Sequence, residues 1–200
     1  MRSQTPKQFL PLGNKPIILH SLDLFCEAGV QEIVVVCKEE YHNLFTGYPV
    51  FFAEPGTRRQ DSVENALARC HHDMICVHDG ARPFITLDLL AELYNVACHV
   101  GAAALGMPIT STVKQTCDKG VVKRTLDRST VWEIQTPQII SRAILQQGFA
   151  KANKENLTVT DDVSLAELVG HPVQLIEGSS RNLKITTPED IIIARNFYEN

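Results

Sequence analysis

Apolar runs of four or five residues alternate along the chain with longer stretches whose apolar residues recur at helical spacing. The runs 33–37 and 74–77 are continuously apolar, which is typical of strands covered on both faces in a parallel sheet. The stretches 17–26 and 87–99 have the spacing of helices. This alternation predicts an α/β fold, a Rossmann-like, mostly parallel twisted sheet flanked by helices.

The same patterns, together with capping residues, predict the remaining elements. Asp61 or Ser62 is expected to cap a helix over 63–69, and Thr160 to cap a later one. A turn is expected at 136–138. Further helices are predicted over 39–45, 141–151 and 191–198, and further strands over 50–53, 101–106, 132–135, 173–176 and 182–185.

Residues from about 109 to 130 differ from the rest of the chain. Short, polar-alternating stretches at 110–114 and 121–125 flank the turn Asp118-Lys119-Gly120. This pattern predicts an antiparallel hairpin that projects as an arm. Because a solitary hairpin is marginally stable in water, we hypothesise that the arm reaches over a second copy in a homodimer.

The composition of the chain favours a single-domain protein and argues against nucleic-acid-binding and membrane-spanning proteins. A length of 200 residues favours one domain, 1–200, that includes the arm. The net charge of −4 argues against a nucleic-acid partner, and no apolar run approaches the ~20 residues that a membrane helix needs. The first residues do not form a signal peptide. The six cysteines form no C-x-x-C pair, so we expect buried, reduced thiols in a cytoplasmic protein.

The first candidate site follows the predicted strand 74–77. In open α/β sheets, ligands bind at the carboxyl ends of strands. There, Asp79 is suited to hold a hydroxyl or a metal ion and Arg82 an anion, while Gly80 lets backbone approach the ligand. The alternative is a solvated turn in which Asp79 and Arg82 simply pair with each other.

A second candidate site is the glycine loop 54–63. Gly56, Arg59 and Ser62 lie just before or at the start of a predicted helix, whose free N–H groups favour an anion. A glycine, an arginine and a hydroxyl there suit a phosphate or the sugar and base edge of a nucleotide. The alternative is that these residues merely cap the helix.

Cations dominate the charged loop positions. Taken singly, each is better explained as a solvated surface charge, but their repeated placement beside glycine, proline and strand ends favours a site. The chain has no paired-carboxylate motif, no H-E-x-x-H and no G-x-S-x-G. Phosphoryl or nucleotidyl transfer fits instead, because it needs mainly positioning and charge neutralisation. The residues are Lys7, Arg59, Arg82, Arg128 and Lys184, with the single acid Asp79.

Seven short motifs follow one another at fitting intervals from Pro6 to the C-terminal region. They are P-K-Q-F at 6–9, R-Q-D-S-V at 59–63, H-D-G-A-R-P at 78–83, T-L-D-R at 125–128, T-P-Q at 136–138, T-D-D at 160–162 and K-I-T-T-P-E-D at 184–190. Each is weak alone, but the ordered set is highly specific. Together they resemble the 2-C-methyl-D-erythritol 4-phosphate cytidylyltransferase family of the non-mevalonate isoprenoid pathway.

The resemblance implies a transferase that converts CTP and methylerythritol phosphate into 4-diphosphocytidyl-methylerythritol and pyrophosphate, with Mg²⁺ as cofactor. It assigns Lys7 to the charge on the α-phosphate and on the leaving pyrophosphate, and Arg128 and Lys184 to orienting the attacking phosphate. Cytidine would be held by Gly56, Arg59, Ser62 and the backbone at Gly80. The sugar phosphate would be held by Asp79, Arg82, Thr112, Arg128, Thr136, Thr160 and Lys184.

The resemblance also implies a dimer in which Thr112 and Arg128 act across subunits. No metal ligand is assigned. No general base is expected, because a phosphate dianion, with a second pKa of about 6, is already a nucleophile near neutral pH.

The sequence departs from the family at its start. The family begins with a strand and a glycine-rich loop, G-x-G-x-R-M, and spacing to Pro6 and Lys7 aligns Met1 with the last residue of that motif. The expected arginine would precede Met1, and Arg2 is a partial substitute at best. We expect about 15–20 further residues upstream, and an exposed slot in the sheet and weak or no transferase activity for residues 1–200 alone.

Two alternatives remain at this stage. One is a pentitol-phosphate cytidylyltransferase, which performs the same chemistry on a different sugar phosphate. The other is a non-catalytic nucleotide-binding relative that keeps the pocket and has lost the loop.

Overall fold

The computed structural model of the chain describes residues 6–199, so the expectations about Met1 and Arg2 lie outside the described residues. The strands are β1 (Pro11–Leu12), β2 (Lys15–Pro16), β3 (Ile33–Val36), β4 (Val50–Ala53), β5 (Met74–Val77), β6 (Ala102–Pro108), β7 (Lys114–Thr116), β8 (Val122–Thr125), β9 (Trp132–Ser141) and β10 (Gln174–Glu177). The helices are α1 (Ile17–Glu27), α2 (Arg59–Leu67), α3 (Leu87–Val100), α4 (Arg142–Lys154), α5 (Val163–Leu168) and α6 (Pro188–Glu199). Turns of 3₁₀ helix cover Lys7–Phe9, Glu39–Phe45 and Arg128–Thr130.

Four strands form the central sheet in the order β10-β6-β9-β5, and β3 and β4 form a separate parallel pair. Within the central sheet β10 runs parallel to β6, whereas β9 lies antiparallel between β6 and β5. The strands β5, β6 and β10 therefore share one direction, as the α/β pattern predicts. β9 is the exception because the chain reverses in the arm before it returns to the sheet.

Helices cover both faces of the central sheet, because alternate residues of β6 point to opposite sides. Ala102 and Ala104 pack in one core cluster with residues of α4 and α5, such as Leu145. Ala103 and Leu105 pack in a second cluster with residues of α3. All four β6 residues are fully buried, which confirms the buried strand predicted at 101–106.

Two predicted elements are wrong. Residues 136–138 form no turn but lie inside β9. A break in the register with β6 leaves Pro137 outside the regular ladder of hydrogen bonds, which proline cannot join because it has no N–H to donate. Residues 182–185 form no strand, since the N–H of Ile185 bonds to the carbonyl of Ala81 while the carbonyl of Asn182 accepts from the side chain of Arg82. The backbone hydrogen-bonding groups of that segment are thus paired with the Asp79 loop instead of with a strand.

Two predicted helix caps are also wrong. Helix α2 begins at Arg59, so Asp61 lies inside its first turn, where its carboxylate accepts the N–H of Arg58 at 2.8 Å. Helix α5 begins at Val163, and Asp161 rather than Thr160 accepts an N–H of its first turn. In both cases a carboxylate lies near the positive end of the helix, Asp61 from inside the first turn of α2 and Asp161 in place of Thr160 before α5.

The arm is formed by β7 and β8, which pair antiparallel around Gly120. Every residue of both strands is exposed, and Val121 and Val122 are 64% and 54% exposed. The arm is therefore an isolated two-stranded sheet in the single chain. Among the described residues, no helix is long and apolar enough to cross a membrane.

All six cysteines are free, but most are not buried as predicted. Cys37 is buried, whereas Cys76 and Cys98 are exposed and the other three are partly buried. Cys76 shows the reason, because it follows the buried Ile75 on β5 and so points to the opposite face of the strand. An apolar neighbour in sequence therefore does not cover it.

Candidate active site

The loop after β5 is a tight turn packed into the protein. The N–H of Arg82 donates to the carbonyl of Asp79 at 3.0 Å, which closes the turn. Arg82 is 8% exposed, and its guanidinium donates to the carbonyl of Asn182 at 2.7 Å. A Cβ at Gly80 would lie 2.8 Å from Cδ1 of Ile18 and would displace that side chain of α1. The predicted turn is real, but its charged groups lie largely inside the protein rather than in solvent.

Asp79 lies at the centre of a cluster of positive side chains. Its carboxylate accepts a hydrogen bond from Nζ of Lys184 at 2.9 Å and lies 3.5 Å from nitrogens of both Arg59 and Arg82. Burial pushes the pKa of Asp79 upward, but the bond from Lys184 and the charges of the two arginines outweigh burial and hold that pKa below its usual range. Three cations from separate segments therefore surround one ionised carboxylate.

Arg59, the first residue of α2, is held by a second acid, Asp162. Its two terminal nitrogens donate to both carboxylate oxygens at 2.9 and 2.7 Å, a bidentate pair. Asp162 is 1% exposed, and burial raises its pKa while the bonds from Arg59 oppose the rise. The side-chain oxygen of Gln138 accepts the N–H of Asp162 at 2.9 Å. Arg59 thus connects the start of α2, the segment before α5 and the Asp79 loop.

Lys7 approaches the same cluster from the first 3₁₀ turn. Burial lowers the pKa of Lys7, and the positive charge of Lys184 lowers it further, while Asp79 and Asp190 act in the opposite direction. The charges of Lys184 and Asp79 thus act on Lys7. The cations in contact with Asp79 at the carboxyl end of β5 are Arg59, Arg82 and Lys184.

The glycine loop before α2 is held by its own polar groups. The N–H of Gly56 donates to Oγ of Ser62 at 2.9 Å, and that hydroxyl donates to the carbonyl of Arg58 at 3.3 Å. A Cβ at Gly56 would lie 2.3 Å from Cβ of Asp61, so glycine is required there. The loop is therefore preformed at the start of a nine-residue helix, whose N-terminus favours anions.

Three residues that the resemblance assigns to the sugar phosphate lie apart from this cluster. Thr112 and Arg128 are exposed beside the arm, where Arg128 donates to the carbonyl of Thr110 at 2.7 Å. Thr160 is exposed as well. Within residues 6–199 no hydrogen bond or ion pair joins any of the three to Asp79. The single chain thus does not assemble the full set of residues that the resemblance names.

Thr136 differs from those three because it is 4% exposed. Its hydroxyl accepts the N–H of Asp79 at 3.0 Å and lies 3.3 Å from Nδ1 of His78. The hydroxyl is therefore used inside the protein, where it joins β9 to the Asp79 loop. Thr136 thus supports that loop, and its assignment to the sugar phosphate stays a prediction.

The sequence reasoning missed three polar residues of this region. Asp162 is part of the T-D-D motif, but nothing in the motif shows that its carboxylate pairs with Arg59. His78 belongs to the motif around Asp79, but nothing in the motif shows that its ring contacts Thr136 and Arg82. Asn182 is fully buried and donates to the carbonyl of Thr136 at 2.9 Å, whereas the local pattern predicted a strand there and no polar contact.

The described residues can be tested for a metal site. Between residues 6 and 199, no three His, Cys, Asp or Glu side chains are grouped so as to hold a metal ion. Asp79 and Asp162, the two acids of the cluster, are paired with Lys184 and Arg59. This donor set fits a Mg²⁺ ion that arrives on phosphate groups, because Mg²⁺ is commonly held by few carboxylates plus substrate phosphates.

Comparisons with known proteins agree on one family. The profile of the IspD family, 2-C-methyl-D-erythritol 4-phosphate cytidylyltransferase, matches residues 1–200. The chloroplastic enzyme of that name from Oryza sativa subsp. japonica is 43% identical over 206 residues, covering 98% of this chain and 69% of that protein. The Chlamydia pneumoniae enzyme is 44% identical over 194 residues, covering 96% and 90%. The crystal structure of the Thermus thermophilus enzyme superposes with a TM-score of 0.86 at 30% identity, covering 98% of this chain and 94% of that one.

Proposed function

The chain belongs to the 2-C-methyl-D-erythritol 4-phosphate cytidylyltransferase family, and from that premise we propose how its own residues hold its two substrates. It is a nucleotidyltransferase that joins CTP to 2-C-methyl-D-erythritol 4-phosphate in isoprenoid synthesis. The matched relatives are named for methylerythritol phosphate, which favours that substrate over the pentitol phosphate considered above.

One observation supports the residue roles most strongly. Lys184, Arg59 and Arg82 surround the carboxylate of Asp79 at the carboxyl end of β5, and Lys7 lies within electrostatic reach. Cations gathered at the end of a sheet neutralise phosphate charge, and the single acid suits a substrate hydroxyl. Two anionic substrates are thus brought together, with the sugar phosphate near Asp79 and CTP near the loop of Gly56.

The transfer itself requires little covalent help from the protein. One oxygen of the sugar phosphate forms a bond to the α-phosphorus of CTP. The bond from that phosphorus to the bridging oxygen of the β-phosphate breaks, and pyrophosphate leaves with the electron pair. Lys7 neutralises charge on the α-phosphate and the leaving group, while Lys184 and Arg128 orient the attacking phosphate.

Magnesium enters this proposal as part of the nucleotide substrate. The acids of the cluster already pair with cations, which supports a Mg²⁺ ion bound to CTP over one held by the protein. The compartment is proposed on separate grounds. Six free cysteines fit a reducing compartment such as the cytoplasm.

Replacing Lys184 by glutamine tests the cluster. Lys184→Gln keeps most of the side-chain length and removes the charge, so we expect pyrophosphate release from CTP and methylerythritol phosphate to fall roughly 100-fold. Lys154→Gln, which changes an exposed lysine at the end of α4, is the matched control and should stay within twofold of the unmodified chain. Equal rates for Lys184→Gln and the control would contradict the proposed role.

We propose further that the arm completes the site of a second copy. Thr112 and Arg128 lie apart from Asp79 in the single chain, and both strands of the arm are exposed. A hairpin of this kind gains stability by packing on a partner. In a C2 dimer each arm covers the other subunit, and Arg128 reaches the phosphate held by the partner's copy of the Asp79 cluster.

Removing residues 112–126 tests the dimer. We expect light scattering to give the mass of a monomer for the shortened chain and twice the chain mass for the unmodified one. Circular dichroism provides the control for folding, because the helices and the central sheet do not include the deleted segment. An unchanged dimer after the deletion would remove the proposed role of the arm.

A further inference from the structure

Three hydrogen bonds pass through the ring of His78 and the hydroxyl of Thr136, and they connect strand β9 to both ends of the Asp79 turn. The N–H of Asp79 donates to Oγ1 of Thr136 at 3.0 Å. That hydroxyl lies 3.3 Å from Nδ1 of His78, and Nε2 of the same ring lies 2.9 Å from the carbonyl oxygen of Arg82. The turn is therefore held at its first N–H and at its last carbonyl by groups outside it.

When the ring of His78 is neutral, the chemistry of these groups fixes the direction of every bond. A carbonyl oxygen can only accept, so Nε2 of His78 carries the hydrogen that it donates to Arg82. In a neutral ring Nδ1 is then an acceptor, and the hydroxyl of Thr136 donates to it. The lone pairs of the same hydroxyl accept the N–H of Asp79. Of the two neutral tautomers, only the one with hydrogen on Nε2 satisfies all three bonds.

The surroundings of the ring favour that state. Burial lowers the pKa of His78 to about 4, against the opposing effects of its bond to Arg82 and of the carboxylate of Asp79. The charged groups that face the ring are Asp79 and Arg82, and the ring of Phe25 packs edge-on at 5.3 Å. Ser21 of α1 donates to the carbonyl of Arg82 at 2.9 Å, so that oxygen already has two donors.

We propose that His78 is a positioning residue, whose neutral ring with hydrogen on Nε2 joins Thr136 to the Asp79 turn and so fixes Asp79 and Arg82 for the sugar phosphate. This inference rests on the proposed function of the cluster. His78 contacts no substrate in this scheme, and it acts through the two residues that do. The loop of Gly56, which holds the nucleotide, is outside the three-bond path.

The tautomer is tested directly by nuclear magnetic resonance. In the full chain at neutral pH, with ¹⁵N-labelled histidine, we expect Nδ1 of His78 to resonate as an unprotonated nitrogen and Nε2 as a protonated one. The assignment comes from the signals that disappear in His78→Gln. A ring with hydrogen on Nδ1, or one charged at pH 7, would overturn the proposal whatever the activity of the chain.

The positioning role is tested by calorimetry on variants of Thr136. Thr136→Val removes the hydroxyl at nearly constant shape, so we expect the dissociation constant for methylerythritol phosphate to rise about tenfold while that for CTP stays within twofold. Thr136→Ser keeps the hydroxyl and should restore sugar-phosphate binding. The matched control is Thr46→Val, at an exposed threonine whose hydroxyl donates to the carbonyl of Asn43.

Combining two variants isolates the His78 link. A glutamine at 78 keeps a donor near the position of Nε2 but loses the acceptor at Nδ1, so His78→Gln and Thr136→Val remove the same bond. Their combined effect on sugar-phosphate binding should be clearly less than the product of the two single effects. Independent effects, or equal losses for CTP and the sugar phosphate, would show a structural role only and contradict the proposal. Failure of the unmodified chain to bind methylerythritol phosphate would instead count against the proposed function and leave the tautomer result standing.

Discussion

Residues assigned to the same sugar phosphate lie in the turn after β5 and beside the arm of β7 and β8, yet the single chain buries the first group and exposes the second. Asp79 is 13% exposed by its side chain and contacts cations from three segments. Arg128 is exposed and makes its hydrogen bond to the backbone of Thr110, within the same excursion of the chain. The side chains of the Asp79 turn are thus held by contacts within the chain, whereas Arg128 is not held near the other residues assigned to the sugar phosphate.

This difference indicates what holds the side chains of each region in position. The Asp79 turn is held by buried partners before any ligand arrives, so its charges are preorganised. The two strands of the arm contact mainly each other. A long side chain such as Arg128 beside them is therefore held in one position only when another surface covers it. If both regions behaved alike, substitutions in the turn and in the arm would have similar effects.

The largest effect is expected from Asp79→Asn. An amide at this position no longer balances Lys184, Arg59 and Arg82, so we expect kcat/KM for the sugar phosphate to fall roughly 10²–10³-fold. Asp127→Asn at the base of the arm is the control, because an asparagine keeps an acceptor for the N–H of Ser129. Steady-state pyrophosphate release measures both, and losses of similar size would contradict the contrast.

Mixing two impaired variants tests whether the arm acts on the partner. Arg128→Ala and Lys184→Gln each should reduce activity roughly 100-fold as homodimers. If Arg128 serves the other subunit, a mixed dimer of the two variants contains one site with both side chains intact. Equal mixing should then restore about a quarter of the unmodified activity. No recovery, with mixed dimers shown by mass spectrometry, would place Arg128 in the site of its own chain.

The third prediction concerns acid stability, which the turn should control and the arm should not. Because the pKa of His78 is lowered to about 4, the unfolded chain binds its proton first, and stability decreases as the pH falls from 6.5 toward 4. We expect His78 alone to cost about 2 kcal/mol of unfolding free energy between pH 7 and pH 5.

Urea denaturation at the two pH values measures this loss. His78→Gln should show a smaller loss than the unmodified chain, whereas His72→Gln, at an exposed histidine, should not differ from it. Burial also lowers the pKa of His20, so His20 contributes to the pH dependence as well. The contribution of His78 is therefore measured as the difference in stability loss between His78→Gln and the unmodified chain. An identical pH dependence in His78→Gln would contradict the buried neutral ring.

The smallest effect is expected in the turn of the arm. Gly120 has a φ of +74° with open space around it, so Gly120→Ala introduces backbone strain of about 1 kcal/mol without a clash. If the arm forms the dimer, the dissociation constant of the dimer should rise about fivefold for each of the two strained turns in it. Gly47→Ala, at another left-handed glycine with open surroundings, is the control and should leave dimerisation unchanged. Analytical ultracentrifugation distinguishes the two.

Much of the fold follows from local patterns in the sequence. The helices over 17–26 and 87–99 and the strand at 74–77 appear nearly where hydrophobic spacing and capping residues predict them. The arm and the turn at Asp79 also follow from local signals, because glycine, proline and alternating polar residues act over a few positions. The ordered motifs were sufficient to identify the family, which the comparisons confirm.

The tertiary structure decided what depends on distant neighbours. Arg59 meets Asp162 across 103 positions, Thr136 is enclosed by a turn 57 positions away, and residues 182–185 bond to the Asp79 loop instead of joining a sheet. Local periodicity reports which face of an element is apolar, but it does not report which element packs against that face. The packing of distant elements therefore determines which charged and polar side chains pair in this site. The path of the chain through the arm determines the direction of β9.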